Sequence, residues 1–256
     1  MSATILRQAD VVEHAAAKER WWRLFLLALI LWAAWAARDL RWAVVWESAP
    51  FILKGLATSW ALALVSIGLG ALAAVPLAAA RVYGPPGLRH LAIALVEVVR
   101  ATPELMVVFW IFFSFPALTG HAISSWTAAV AALSVMAAAY LAEVIRGGLY
   151  TVPREQWDCA LSSGLSPLQA YAYVVLPQAL RNMLPALVAQ LVMLFKTTSL
   201  VYVIGVIEFF RAVTIVNNVS FAPYALYLTM AVGYFTCCWL LTWLVRRFDP
   251  KYLLSE

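Results

Sequence analysis

Charge is the scarcest commodity in this sequence. Only 12% of the 256 residues are Asp, Glu, Lys or Arg and 64% are hydrophobic, whereas soluble domains carry about 25% charged and about 45–50% apolar residues. Three cysteines, Cys159, Cys237 and Cys238, are an odd number with two adjacent, which excludes a disulfide framework and metal-ligand spacing. The three histidines, His14, His90 and His121, are far apart and form no H-E-x-x-H pair, so no metal site is expected. No G-x-x-x-x-G-K-[ST] loop occurs, so this chain holds no nucleotide engine of that kind. No internal repeat of 20–50 residues is present, which weighs against inverted-repeat carriers. The net charge of +5 comes from basic residues scattered singly between apolar runs, not from a stripe that could follow nucleic acid.

Apolar runs fill the chain instead. Six of them, at about residues 21–37, 56–80, 91–115, 126–145, 183–207 and 224–245, approach the roughly 20 residues needed to cross a hydrocarbon core about 30 Å thick. The fold class predicted is all-α, a polytopic membrane helical bundle of six spans. The first run ends Ala33-Ala34-Trp35-Ala36-Ala37, small residues like those of a cleavage site, but the acidic residues ahead of it favour a retained anchor. Residues 38–54 read as a polar connector. Gly55, Ser59, Ser66, Gly68 and Gly70 line the second run as small residues that let helices approach closely.

With the N-terminus inside, the inner segments hold twelve Lys and Arg, among them Arg81, Arg89, Arg146, Arg154, Arg246 and Arg247. The outer segments hold four, Arg38, Arg41, Lys54 and Arg211. That asymmetry places both termini, and the polar stretch between the fourth and fifth runs, on the cytoplasmic side. The stretch at about residues 150–182 reads as two short helices with a break. Trp157, Ala160 and Leu161 share one face and Glu155, Asp158 and Ser162 the other. Gly164 stands at the left-handed position that ends a helix. Ser166-Pro167-Leu168-Gln169 is a capping box with proline at N1, and Leu176-Pro177 is expected to stop the second helix.

The stretch resembles the EAA loop of ABC-importer permease subunits: Asp158-Cys159-Ala160, then Gly164, then Val174, then Leu176-Pro177, at the family's spacing. Arg100-Ala101-Thr102-Pro103, the run from Ala138 to Gly148, Leu176-Pro177-Gln178-Ala179-Leu180-Arg181 and Lys196-Thr197-Thr198-Ser199-Leu200 narrow the resemblance to polar amino acid permeases, in order over most of residues 55–245. The resemblance implies a type I ABC importer transmembrane domain in a multi-pass protein of the bacterial inner membrane. Residues 1–54 would be a lead, first span and external connector, 55–245 the permease core, and 246–256 a cytoplasmic tail. It also implies a coupling helix that docks on a cytoplasmic ATPase dimer, where ATP and Mg are used. A second permease copy or paralogue and an extracytoplasmic solute-binding protein complete the implied assembly. The chain itself would bind no cofactor and catalyse no covalent chemistry. In the loop, Asp158 would touch the ATPase, Gly164 permit the bend, and Leu176 and Pro177 set the exit angle. Three departures from the common pattern, Glu155 in place of glycine, Asp158 for Glu and Cys159 for Ala, fall on the docking face.

Ionisable groups at bilayer depth cost about 2.5–3.5 kcal/mol each to insert, so each needs a reason. Glu97, Arg100 and Glu104 stand at i, i+3 and i+7, which reads as a ladder near the inner surface or as part of a translocation path. Glu143 and Arg146 form another i, i+3 pair, read as structural or gating. Lys196, Thr197, Thr198 and Ser199 form the deepest polar cluster and are expected to face the pathway or a partner subunit. Similar permeases carry Asp or Asn where Thr197 stands, and a neutral residue there would favour glutamate or aspartate over cationic amino acids. A stand-alone ion-coupled carrier is the alternative reading, supported by the same intramembrane acids and opposed by the cytoplasmic loop. No pattern of nucleophile and base supports a membrane enzyme.

Overall fold

The computed structural model describes residues 40–248, together with 21–22, 27–28 and 38. The expected first span and the C-terminal tail therefore fall largely outside the described residues. Within them the chain is helical. Helix α1 covers Trp42–Tyr83, α2 Pro86–Ala101, α3 Glu104–Thr119, α4 Ser125–Tyr150, α5 Arg154–Ser162, α6 Pro167–Ile204, α7 Phe209–Ser220 and α8 Pro223–Phe248. Four of these, α1, α4, α6 and most of α8, are long and apolar enough to cross a membrane.

The connector expected at residues 38–54 is helical from Trp42 onward, so α1 is a single rod of 42 residues. At 1.5 Å per residue it is about 63 Å long, well beyond a bilayer. Its projecting N-terminal part packs through Ile52 against Phe209 and Val213 of α7 and Leu226 of α8, and Arg41 donates to the Ser220 carbonyl. The main core lies between α1 and α4 around Leu62, Leu133, Met136 and Val201. Small residues make this approach possible: a Cβ on Gly70 would stand 2.5 Å from Ala137 Cβ, and one on Gly55 2.6 Å from Ala212 Cβ. Gly68, expected to serve the same purpose, faces open space.

The third apolar run is not one span. It is broken at Thr102-Pro103 into α2 and α3, because the ring of Pro103 disfavours helical geometry at Thr102, which is extended at φ −86°, ψ 135°. Ion pairs tie Glu97 and Arg100, in the last turns of α2, to Arg81 and Glu143 near the ends of α1 and α4 that the charge asymmetry would put inside, their inner ends. The end of α2 is thereby held at the inner level, where a helix running back along α1 would have carried it about 15 Å away. Its exposed stripe of Leu88, Leu91, Leu95 and Val98 fits a helix tilted into the inner interface.

Leu176-Pro177 does not stop a helix. The chain runs through it because a π-helical turn, Ala170–Val175, widens the coil just before the proline and shifts the hydrogen-bond register that Pro177 cannot serve. The same arrangement recurs in α3, where the π turn Trp110–Ser114 precedes Pro116.

Candidate functional site

At the inner end, α5 is a two-and-a-half-turn helix whose first residue follows Pro153 and whose end is fixed by Gly164 at φ +85°. A side chain there would be strained, which is why glycine closes the helix. Leu165 N–H donates back to the Ala160 carbonyl at 3.3 Å. The capping box expected at Ser166 is present: Gln169 N–H donates to Ser166 Oγ at 3.4 Å and Ser166 N–H donates to Gln169 Oε1 at 2.9 Å. Ala160 is buried, and Trp157 and Tyr171 meet with ring centroids 6.1 Å apart. Val152, Val175, Ala179 and Met183 join them in a small core that fastens the loop to the ends of α4 and α6. Glu155 and Asp158 lie on the exposed face, as does Cys159. Leu176 is half-buried and Pro177 exposed. The loop therefore presents acidic residues outward on a braced platform.

Just inside it, three helices are bound by charge. Arg81, its side chain 8% exposed, reaches Glu143 with Nη1 2.8 Å from Oε2. Arg146 Nε donates to both oxygens of Glu143 at 3.1 and 3.2 Å, and Arg100 Nη1 donates to Glu97 at 3.2 Å. Arg100 and Arg146 also lie over the rings of Tyr140 and Tyr150, at 6.0 and 5.4 Å from the centroids. Two carboxylates thus serve three guanidinium groups drawn from α1, α2 and α4.

Glu104 takes no part in that layer. The break at Pro103 puts it on a different helix from Glu97 and Arg100, so the single-face ladder read from the sequence ends at Arg100. Glu104 instead accepts a hydrogen bond from Thr197 Oγ1 at 3.0 Å, joining α3 to α6 across 93 residues. The two residues border a cleft with Tyr140, Gln190, Met136 and Ile67, whose interior, ≈ 10 Å³, is about the size of one water molecule. Tyr140 sits ten residues from the end of α4, about 15 Å along the helix and about one turn beyond Glu143. Thr197 is nearly buried, and Thr198 is fully buried with its hydroxyl turned back to the Phe195 carbonyl at 2.7 Å. Ser199 is half-buried, whereas Lys196 is exposed and does not line the cleft. Lys196 and Thr197 are neighbours on a helix and so point about 100° apart.

A second buried polar group escaped the sequence reading. Glu208 is completely buried and caps α7, accepting from Phe210 N–H at 2.7 Å and Arg211 N–H at 2.8 Å. Ser59 Oγ donates to it at 3.3 Å and Tyr234 OH at 3.4 Å, tying α7 to α1 and α8. The signal was a lone acid between an apolar run and a helix start. Among the described residues no group of His, Cys, Asp and Glu is gathered as a metal site.

Known proteins share this architecture. The chain is 34% identical over 210 residues to the probable glutamine ABC transporter permease protein GlnP of Bacillus subtilis (strain 168), covering 80% of this chain and 95% of that one. It is 31% identical to the glutamine transport system permease protein GlnP of Escherichia coli (strain K12), covering 82% and 96%. It is also 31% identical to the glutamate/aspartate import permease protein GltK of Escherichia coli O157:H7, covering 69% and 82%. The crystal structure of an amino acid ABC transporter with histidines superposes with a TM-score of 0.78 at 28% identity, covering 83% of this chain and 99% of that one. The inward-facing MetNI methionine ABC transporter shares the fold at a TM-score of 0.66 and 19% identity, covering 79% of this chain and 96% of that one. The model of the binding-protein-dependent transport system inner membrane component matches residues 66–253, and the chain belongs to that family, the permease subunits of ABC importers.

Proposed function

We propose that this permease carries polar amino acids into the cell, driven by ATP hydrolysis on a partner ATPase dimer and coupled through α5. The observation that carries the reading is the braced loop. A capped helix with an αL glycine end, anchored by Trp157 and Val175 to two spans, can pass a rigid-body push into α4 and α6. Glu155 and Asp158 form its docking face, with Ala160 and Gly164 shaping the helix and Leu176 and Pro177, within α6 just after its π turn, leading the chain away from the loop. The charge layer of Arg81, Arg100, Glu143 and Arg146 lies directly above and would hold the inner ends of α1, α2 and α4 together between strokes. One such bundle offers half a pathway, so a second permease subunit completes it, and a solute-binding protein delivers substrate from outside. Both termini then lie in the cytoplasm.

For the substrate, glutamate and aspartate are favoured by the neutral Thr197. A specific observation favours a second reading, glutamine. The cleft is lined by no Lys or Arg that could receive a side-chain carboxylate, and the relatives include permeases named for glutamine and for glutamate/aspartate. Thr198, Ser199 and Lys196 would lie along the path beside this cleft or against the second subunit.

Co-purification tests the assembly. The tagged permease, expressed with its genetic neighbours, should bring down an ATPase. Glu155→Lys should weaken that association, because it reverses a charge on the exposed face of α5. Recovery of the permease without any ATPase, or an E155K variant that binds and stimulates it as the wild type does, would count against the coupling role.

A further inference from the structure

We infer that the Glu104 carboxylate is the point in the membrane that receives a primary ammonium, the α-ammonium of the transported amino acid, with Thr197 holding it in place. The inference rests on the amino-acid importer reading and adds the chemistry of recognition.

The acids at bilayer depth divide by what surrounds them. Glu97 and Glu143 are ion-paired with arginines in the inner layer. Glu208 is sealed from every side by Ser59, Tyr234 and two backbone N–H groups. Glu104 differs from all three: it is only partly buried, makes no ion pair among the described residues, and accepts a single hydrogen bond, from Thr197. Lys196, the nearest cation in sequence to Thr197, lies outside the cleft lining. Arg100, over the Tyr140 ring, is spent on Glu97, so a carboxylate inside the helical bundle with one neutral donor is under-compensated, and what compensates it best is a cation entering the cleft.

The other polar lining groups, Tyr140 and Gln190, are neutral and can bond the rest of a polar ligand without competing for its charge. Thr197 Oγ1 also lies 3.1 Å from the Met193 carbonyl, which fixes the hydroxyl beside Glu104, and the remaining lone pairs of the carboxylate stay open to an ammonium. The interior of ≈ 10 Å³ admits no amino acid, so the site opens as the helices around it separate and the second subunit supplies the facing wall. Specificity follows: every amino acid offers the α-ammonium, and a deaminated analogue offers nothing to Glu104.

The test uses proteoliposomes containing the assembled permease, ATPase and binding protein, with radiolabelled L-glutamine, L-glutamate and L-aspartate as probes. Glu104→Gln should lower ATP-driven uptake about ten- to a hundredfold, as loss of a charged hydrogen bond does, while ATP hydrolysis stimulated by loaded binding protein persists. Glu104→Asp should recover part of the uptake. Wild-type uptake rate and apparent KM in Glu104→Gln would overturn the inference. If that variant fails to assemble, Thr197→Val keeps the charge and removes its orienting hydroxyl, and the apparent KM should rise several-fold; an unchanged KM overturns the inference as well. A wild-type complex that hydrolyses ATP yet carries none of the three probes overturns the importer reading and this inference with it.

Discussion

Buried polar side chains are tolerated where packing supplies partners, and among the described residues Glu208 is the clearest case. Its carboxylate takes two N–H bonds at the start of α7 and hydroxyl bonds from α1 and α8. Glu208→Ala should therefore cost about 2–4 kcal/mol, because it leaves Ser59, Tyr234 and a helix start unpaired in an apolar region. Glu208→Gln should cost less, since an amide oxygen can still accept at the cap. Melting temperatures of the purified protein in detergent would rank the two, and equal melting points for both variants and the wild type would refute the assignment. Periodicity and spacing found the acids of the inner layer, because Glu97–Arg100 and Glu143–Arg146 are local i, i+3 pairs. They could not find Ser59–Glu208 or Glu104–Thr197, which are 149 and 93 residues apart and depend on how helices pack. Arg81 was read only as a charge that orients the chain, yet it is the buried centre of the inner layer. Glu143 serves three arginines and Glu97 is half-exposed. Glu143→Gln should therefore lower the melting temperature more than Glu97→Gln, and the reverse order would mean that the layer does not centre on Glu143.

At the scale of elements, local chemistry was legible wherever a residue's own backbone decided the outcome. Gly164 adopts the left-handed conformation and Ser166-Gln169 forms the capping box, as their types and spacing dictate. Gly164→Ala should cost about 1 kcal/mol for its positive φ, and Ser166→Ala about 1 kcal/mol for the lost cap. Both should reduce coupled transport more than ATPase activity of the separate partner, a pattern readable by assaying uptake and hydrolysis on the same preparation. Equal losses of both activities would argue that the loop only holds the protein together. Proline was the residue whose effect the sequence misstated. Pro103 does break its helix, but Pro177 and Pro116 are absorbed because a π turn precedes each. A single chain of letters shows the missing N–H and not the widened turn that compensates for it. Residues 38–54 read as a polar connector without a stated conformation; from Trp42 onward they are helical, extend α1 and pack on α7.

For the whole molecule, on the orientation read from the charges, the arrangement would be a stack along the membrane normal. An outward-facing loop helix stands at the inner end, a charge layer binds α1, α2 and α4 above it, and a water-sized cleft with an under-compensated carboxylate lies above that. The outer end is a platform of α1 and α7 closed by Glu208. Driving force applied to α5 would reach the cleft through α4 and α6, since α5 is fastened to both and they carry Tyr140 and Thr197. On the proposed function, energy would enter at one end of the fold and selectivity would be exercised beyond the charge layer. The most direct test is uptake of labelled L-glutamine, L-glutamate and L-aspartate into proteoliposomes containing the permease with its ATPase and binding protein, with ATP hydrolysis measured at the same time. The account predicts accumulation of at least one of them that needs ATP inside, needs the binding protein outside, and stops when the ATPase is omitted. Accumulation that continues without the ATPase and follows an imposed ion gradient would contradict it.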